Sequence, residues 1–171
     1  MSRNIFVVAL ALAIPLASCD EPNLPLAPQS ISPRFTASSG SVSTVIGRGT
    51  FGNPVSVSRR TGDWKVKVES DPMDVAVQSI VFQAGGQSGW HRHPGPVFIL
   101  VVEGTMTFYE SDDPHCRPIV RSAGQGYLDN GAHAHIARNE TQHVATNVVT
   151  YFAPPAAALR IDAPKSAYCA F

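Results

Sequence analysis

The chain has 171 residues, enough for one ordinary domain and too few for two with full cores. Its apolar share of 44% is that of a globular protein, and 13 basic side chains balance 13 acidic ones at only 15% charged residues. That balance leaves no basic patch to track a phosphate backbone, so nucleic acid is not an expected partner.

In chain order, the first segment reads "MSRNIFVVALALAIPLASC". A single arginine, Arg3, precedes an apolar run from Ile5 to Ala17. That run is well short of the ~20 residues that span a bilayer as a helix, and it fits the apolar region of a secretory signal peptide over residues 1–18. Leu16, Ala17, Ser18 and Cys19 resemble the lipobox of bacterial lipoproteins, which implies lipidation at Cys19 and a protein tethered outside the cytoplasm, facing the periplasm or the exterior, with the lipid as its only membrane contact. Residues 19–44, rich in Pro and Ser and without any period, read as a linker. The folded domain is expected over residues 45–171.

Within that domain the pattern is strand throughout. "WKVKVES" alternates Trp64, Val66 and Val68 with Lys65, Lys67 and Glu69, the period of a half-buried strand. Further strands are expected in "VAVQSIVF" from Val75, "PVFILVV" from Pro96, "TMTFYE" from Thr105, "AHIARN" from Ala134 and "VVTYF" from Val148. The intervening "AGGQSG", "EG", "SDDP", "AGQG" and "DNGA" read as turns. Many short strands with frequent turns predict a sandwich or barrel. Phe98, Leu100 and Val102 make the second face of their strand apolar as well, so the other sheet, the N-terminal segment or a second copy in a homodimer is expected to cover it.

Cys116 and Cys169 remain once Cys19 is set aside, an even number in an oxidising compartment, and they are expected to form a disulfide. Neither has the CxxC spacing or base partner of a catalytic thiol. Trp90 reads as a packing residue, Arg160 and Asp162 as a surface pair, and His115 and His143 as loop residues.

Four of the six histidines form two HxH pairs, His91 with His93 and His133 with His135. Residues i and i+2 of a strand share a face, so each pair can aim two imidazoles at one point. Neutral imidazole is a good ligand for Zn, Fe, Cu, Ni or Mn, and several donors must converge at about 2.0–2.2 Å from the ion.

These residues resemble the two motifs of the cupin family over roughly residues 60–153. His91, His93 and Gly104 match the first motif, with Gly85 and Gly86 as its leading turn, while Gly124, His135 and Asn139 match the second. The resemblance implies an all-β double-stranded β-helix, or jelly-roll barrel, holding a divalent metal ion on His91, His93 and His135. It also implies a small-molecule ligand or substrate. Either a metal-dependent dioxygenase or related oxidoreductase, or a non-catalytic binding barrel, is consistent with it, and no catalytic acid or base is singled out.

Two departures matter. The second motif's Pro-x-Gly is Asn130, Gly131 and Ala132, itself a strong turn former. The first motif's glutamate falls at Val97, which removes the one anionic ligand and argues against oxalate-type or isomerase chemistry. His133 and Glu110 are the candidates for an additional donor. If Glu103 and Gly104 make a two-residue hairpin, Val97 lies opposite Glu110 on one face.

Overall fold

The computed structural model describes residues 35–171. The expected signal peptide, Cys19 and the linker up to residue 34 lie outside the described residues. Twelve strands and no helix occur among the described residues: β1 Ser39–Phe51, β2 Val55–Thr61, β3 Trp64–Ser70, β4 Met73–Gln87, β5 His91–Arg92, β6 Val97–Glu103, β7 Thr105–Glu110, β8 Ile119–Ser122, β9 Gly126–Asp129, β10 His135–Arg138, β11 Ala145–Ala153 and β12 Ile161–Asp162.

Ten of these form one antiparallel sheet that folds over on itself as a jelly-roll barrel, with β2 and β3 as a separate hairpin. One side runs β1-β4-β11-β6-β9 and the other β12-β5-β10-β7-β8. They meet where Gln87 of β4 pairs with Arg138 of β10. Strict alternation places Val97, Ile99 and Val101 of β6 inside, packed with Ala76, Phe82, Met106, Phe108, Val149 and Tyr151. Burying each such aliphatic or aromatic side chain contributes roughly 1.5–3 kcal/mol. The outer residues Phe98, Leu100 and Val102 are exposed among the described residues.

Four expectations from sequence are corrected. First, β1 begins at Ser39, inside the expected linker, and pairs along β4 from Ser39↔Gln87 to Phe51↔Met73. Its Ser-rich start carries no alternation because backbone hydrogen bonds, not buried side chains, hold it. Farther along, Arg48 Nη2 lies 2.6 Å from the buried Asp74 carboxylate, which also accepts from Thr50 at 2.6 Å. Secondly, "AGGQ" is a bulged continuation of β4 rather than a turn: Gly85 takes φ 72, and the pairing with β1 shifts register between Ser39 and Ser41.

Thirdly, β6 and β7 do not form a hairpin. β6 pairs with β9 and β11, and β7 with β8 and β10. Gly104, at φ 72, carries the chain from one side of the barrel to the other, and a Cβ there would meet the Val144 carbonyl oxygen at 2.6 Å. A Glu-Gly step shows that the chain turns but not which strand it will pair with next. Lastly, the alternating "WKVKVES" does form β3, yet Trp64 is 58% exposed. Its partner β2 covers its edge, and nothing among the described residues covers its apolar face.

Candidate metal centre

β5 and β10 pair antiparallel with His135 directly opposite His91. Opposed residues share a face, and the two imidazole centroids lie 4.5 Å apart. His93, just past the end of β5, brings its ring to 4.8 Å from His91 and 5.2 Å from His135. All three are buried, and one ring nitrogen from each lies within 4.8 Å of the others. Donors bound to one ion at about 2.0–2.2 Å lie roughly 3–3.5 Å apart, so the three rings must draw together to share one ion.

Two of the rings have their orientation set by backbone carbonyls. The Nδ1 atoms of His91 and His93 lie 2.8 Å and 2.5 Å from the carbonyl oxygens of Gly89 and Leu159. A carbonyl oxygen only accepts, so both nitrogens carry the proton and both Nε2 lone pairs are left for a ligand, as in metal-binding histidines generally. Burial, reinforced by the neighbouring His135, holds His91 well below the usual histidine range and lowers His93 to about 4. Both are therefore neutral near pH 7, the form that binds metal.

His133 and Glu110 are not brought into this cluster. Residues 131–134 bend before β10 begins at His135, so the i, i+2 rule fails for the second HxH. The His133 side chain is 54% exposed, with Nδ1 3.4 Å from Asp112 Oδ2. Glu110 pairs in register with His135, not with Val97, and accepts a hydrogen bond from the Tyr127 hydroxyl. Arg160 and Asp162 form the expected exposed pair at 2.7 Å. Cys116 and Cys169 are joined in a disulfide, and Trp90 is fully buried against Tyr109, Ile136 and Cys169.

Four groups at the site are not marked by the sequence. Asp129 closes β9 opposite Val97, 2% exposed, with Oδ2 3.0 Å from His135 Nδ1 and 3.7 Å from His93 Nε2. Burial pushes its carboxyl up, but His135 and the Gly131 N–H outweigh that and hold it below its ordinary value. In sequence, Asp129 opens "DNGA" and reads as a turn residue; only the parity of Tyr127 and Asp129 around Leu128 hints at an inward side chain. Asn147 and Tyr151, on the inner face of β11, line the site, and the Asn147 Oδ1 is buried without a hydrogen bond. The Leu159 carbonyl lies in an irregular stretch after β11 that no motif marks.

Asn139 holds β10 in place. Its buried amide donates to the carbonyls of Phe82, Gln83 and His143 at 3.1, 3.0 and 2.6 Å, while Oδ1 accepts from the Thr141 N–H and hydroxyl at 3.1 and 2.7 Å. The strand carrying His135 is thereby tied to the end of β4. Beside the histidines lies a cavity of about 30 Å³, walled by Ile80, Phe82, Ile99 and Val149 as well as Asn147 and Tyr151. It has room for about two water-sized groups.

Residues 78–151 match the family model described as the cupin domain. The chain carries a cupin domain. Among solved structures, it is similar to a protein with a double-stranded beta-helix domain from Klebsiella pneumoniae, at 19% identity and TM-score 0.46, covering 67% of this chain and 88% of that one. It is also similar to a cupin superfamily protein from Desulfitobacterium hafniense, at 12% identity and TM-score 0.41 over 59% and 78% of the two chains. A DMSP lyase from Ruegeria pomeroyi is similar at 16% identity and TM-score 0.44, covering 51% of this chain and 42% of the lyase. No curated protein matches the sequence. The cupin domain thus spans both HxH pairs, with the motif histidines His91, His93 and His135 gathered inside the barrel.

Proposed function

We propose that the protein binds one divalent transition-metal ion through His91, His93 and His135 and works at the cell envelope. The observation that carries the metal reading is the convergence of three buried imidazoles, two of them held with Nε2 free by backbone carbonyls. The donor set suits Fe, Mn, Zn, Ni or Cu. Such an ion would supply Lewis acidity and positions for a small ligand. The chain's own contribution is to hold His91 and His93 neutral, exclude bulk water and offer the Asn147 amide to whatever occupies the cavity.

The cavity favours the binding reading over a broad enzymatic one. About 30 Å³ accommodates water or a diatomic molecule beside an ion, far less than the few hundred Å³ of ordinary substrate pockets. A metal-dependent dioxygenase or related small-molecule enzyme is the second reading, supported by that room for a diatomic ligand; its organic substrate would require the barrel to open.

Placement at the envelope is supported by the apolar run from Ile5 to Ala17 just ahead of Cys19 and by the Cys116–Cys169 disulfide, a bond that persists in oxidising compartments. Metal analysis of the purified protein tests the central claim: one ion per chain is expected. Metal-free protein that also fails to take up any of the five candidate ions on reconstitution refutes it. Lipid labelling of the wild type that disappears in Cys19→Ala tests the anchor.

A further inference from the structure

We propose that Asp129 is the anionic ligand of this centre, replacing from β9 the carboxylate that the first motif lacks at Val97; the inference rests on the three-histidine metal reading above. Val97 and Asp129 are directly opposed in the antiparallel pairing of β6 and β9. Opposed residues project from the same face with Cβ atoms roughly 4.5–5.5 Å apart, so a carboxylate moved from one strand to the other starts from nearly the same place. The shorter aspartate then reaches the centre from β9 while Val97 packs into the core at 0% exposure.

The two carboxylate oxygens have separate fates. Oδ1 accepts the Gly131 N–H at 2.8 Å, which fixes the group and shapes the turn before β10. Oδ2 is buried and points at the histidines, with the His135 Nδ1 3.0 Å away. A purely structural role in the turn accounts for Oδ1 but not for Oδ2, which faces the centre. Because His93 Nδ1 is committed to the Leu159 carbonyl, Nε2 is the nitrogen that faces the centre, and it lies 3.7 Å from Oδ2. Two donors bound to one ion at about 2.0–2.2 Å lie roughly 3–3.5 Å apart for right-angled to tetrahedral arrangements, and both separations sit near that range.

Charge leads to the same assignment. A carboxylate held at 2% exposure is unfavourable in its ionised form unless opposite charge or hydrogen bonds meet it. Among the described residues no lysine or arginine pairs with Asp129, and the nearby Arg160 is engaged by Asp162 at 2.7 Å. A dication supplies the missing charge. The consequence for chemistry is direct: three histidines and one aspartate leave a dication site with one positive charge rather than two. That reduces its pull on anionic substrates and suits a neutral ligand small enough for the cavity.

The test compares the wild type, Asp129→Asn and the double variant Val97→Glu with Asp129→Asn, each titrated with Co²⁺ and Zn²⁺ against a chelator and each followed by the visible Co²⁺ spectrum. The Asn variant retains Oδ1 and the Gly131 contact. It is expected to lose more than about 100-fold in affinity, beyond the 10–100-fold that loss of an outer partner of a ligating histidine costs, with a changed Co²⁺ spectrum. The double variant, which returns a carboxylate from the opposed strand, is expected to recover at least tenfold of that loss. A smaller loss with an unchanged spectrum overturns the proposal while leaving the three-histidine centre intact. A wild type that binds neither ion removes the metal reading itself. A crystal structure of the metal-loaded wild type decides the matter without any substitution: an Asp129 oxygen bonded at about 2.0–2.2 Å supports the assignment, and one beyond about 3 Å overturns it.

Discussion

The two HxH segments look alike in sequence and behave differently in the barrel. In "HRHP" both histidines are buried at one point while Arg92 faces out; in "AHAHI" only His135 is buried and His133 faces solvent beside Asp112. Shared parity delivers two side chains to one place only while the backbone stays extended. The first segment is held by β12, through Asp162↔His91 and Ile161↔Arg92, and by the Leu159 carbonyl on His93. The second bends at 131–134, under the Asp129–Gly131 and Asn130–Ala132 contacts, and becomes strand only at His135. A motif therefore proposes ligands, and the local backbone admits or refuses each one.

The largest effect expected along this contrast is loss of the ion. His91→Ala or His135→Ala removes one of the three imidazole donors and is expected to abolish stoichiometric metal in the purified protein, as read by elemental analysis. Retention of full occupancy in both variants would refute the cluster.

Next comes the segment that braces the first pair. The disulfide joins Cys116 to Cys169 across 53 positions, and Phe171 beyond it stacks on Trp90 at 6.4 Å and carries the Arg138 guanidinium at 4.2 Å. Cys116→Ser with Cys169→Ser is expected to lower unfolding free energy by on the order of 4 kcal/mol in the chain-entropy model, measured by denaturant unfolding. Asn139→Ala, which frees the second pair's strand from β4 and leaves the Phe82, Gln83 and His143 carbonyls without their donor, is expected to cost about 2–4 kcal/mol.

Acid should act through the first pair. His93 is lowered to about 4 by burial and by His135, so below the ordinary histidine value of about 6.5 the unfolded chain takes a proton that the fold refuses. This contribution is complete above about pH 6.5 and is lost progressively as pH falls toward 4. The melting temperature of metal-free protein is expected to fall over that window, and a His93→Gln variant should show a flatter profile. The smallest effect belongs to the outward histidine: His133→Ala is expected to leave metal content and stability within about 0.5 kcal/mol of wild type.

Legibility in the sequence followed the range of the interactions involved. The strands were readable because alternation is local, as at Val97, Ile99 and Val101, and the motif histidines because their spacing is local too. Val97 stands where the first motif has its glutamate, and pairing of neighbours in sequence would set Glu110 opposite it. The chain instead crosses the barrel at Gly104, so the residue opposite Val97 comes from β9, and an aspartate that reads as the start of a turn ends up buried beside two histidines.

The amino-acid order by itself determined an all-β domain, the histidine types and spacings suited to a metal, and an even pair of cysteines. Only the tertiary structure decided which strands oppose which, hence which carboxylate meets the histidines and how little room remains beside them. The reason is physical: alternation and turn chemistry act over a few residues, whereas strand partnership and burial depend on segments tens of residues apart packing against one another.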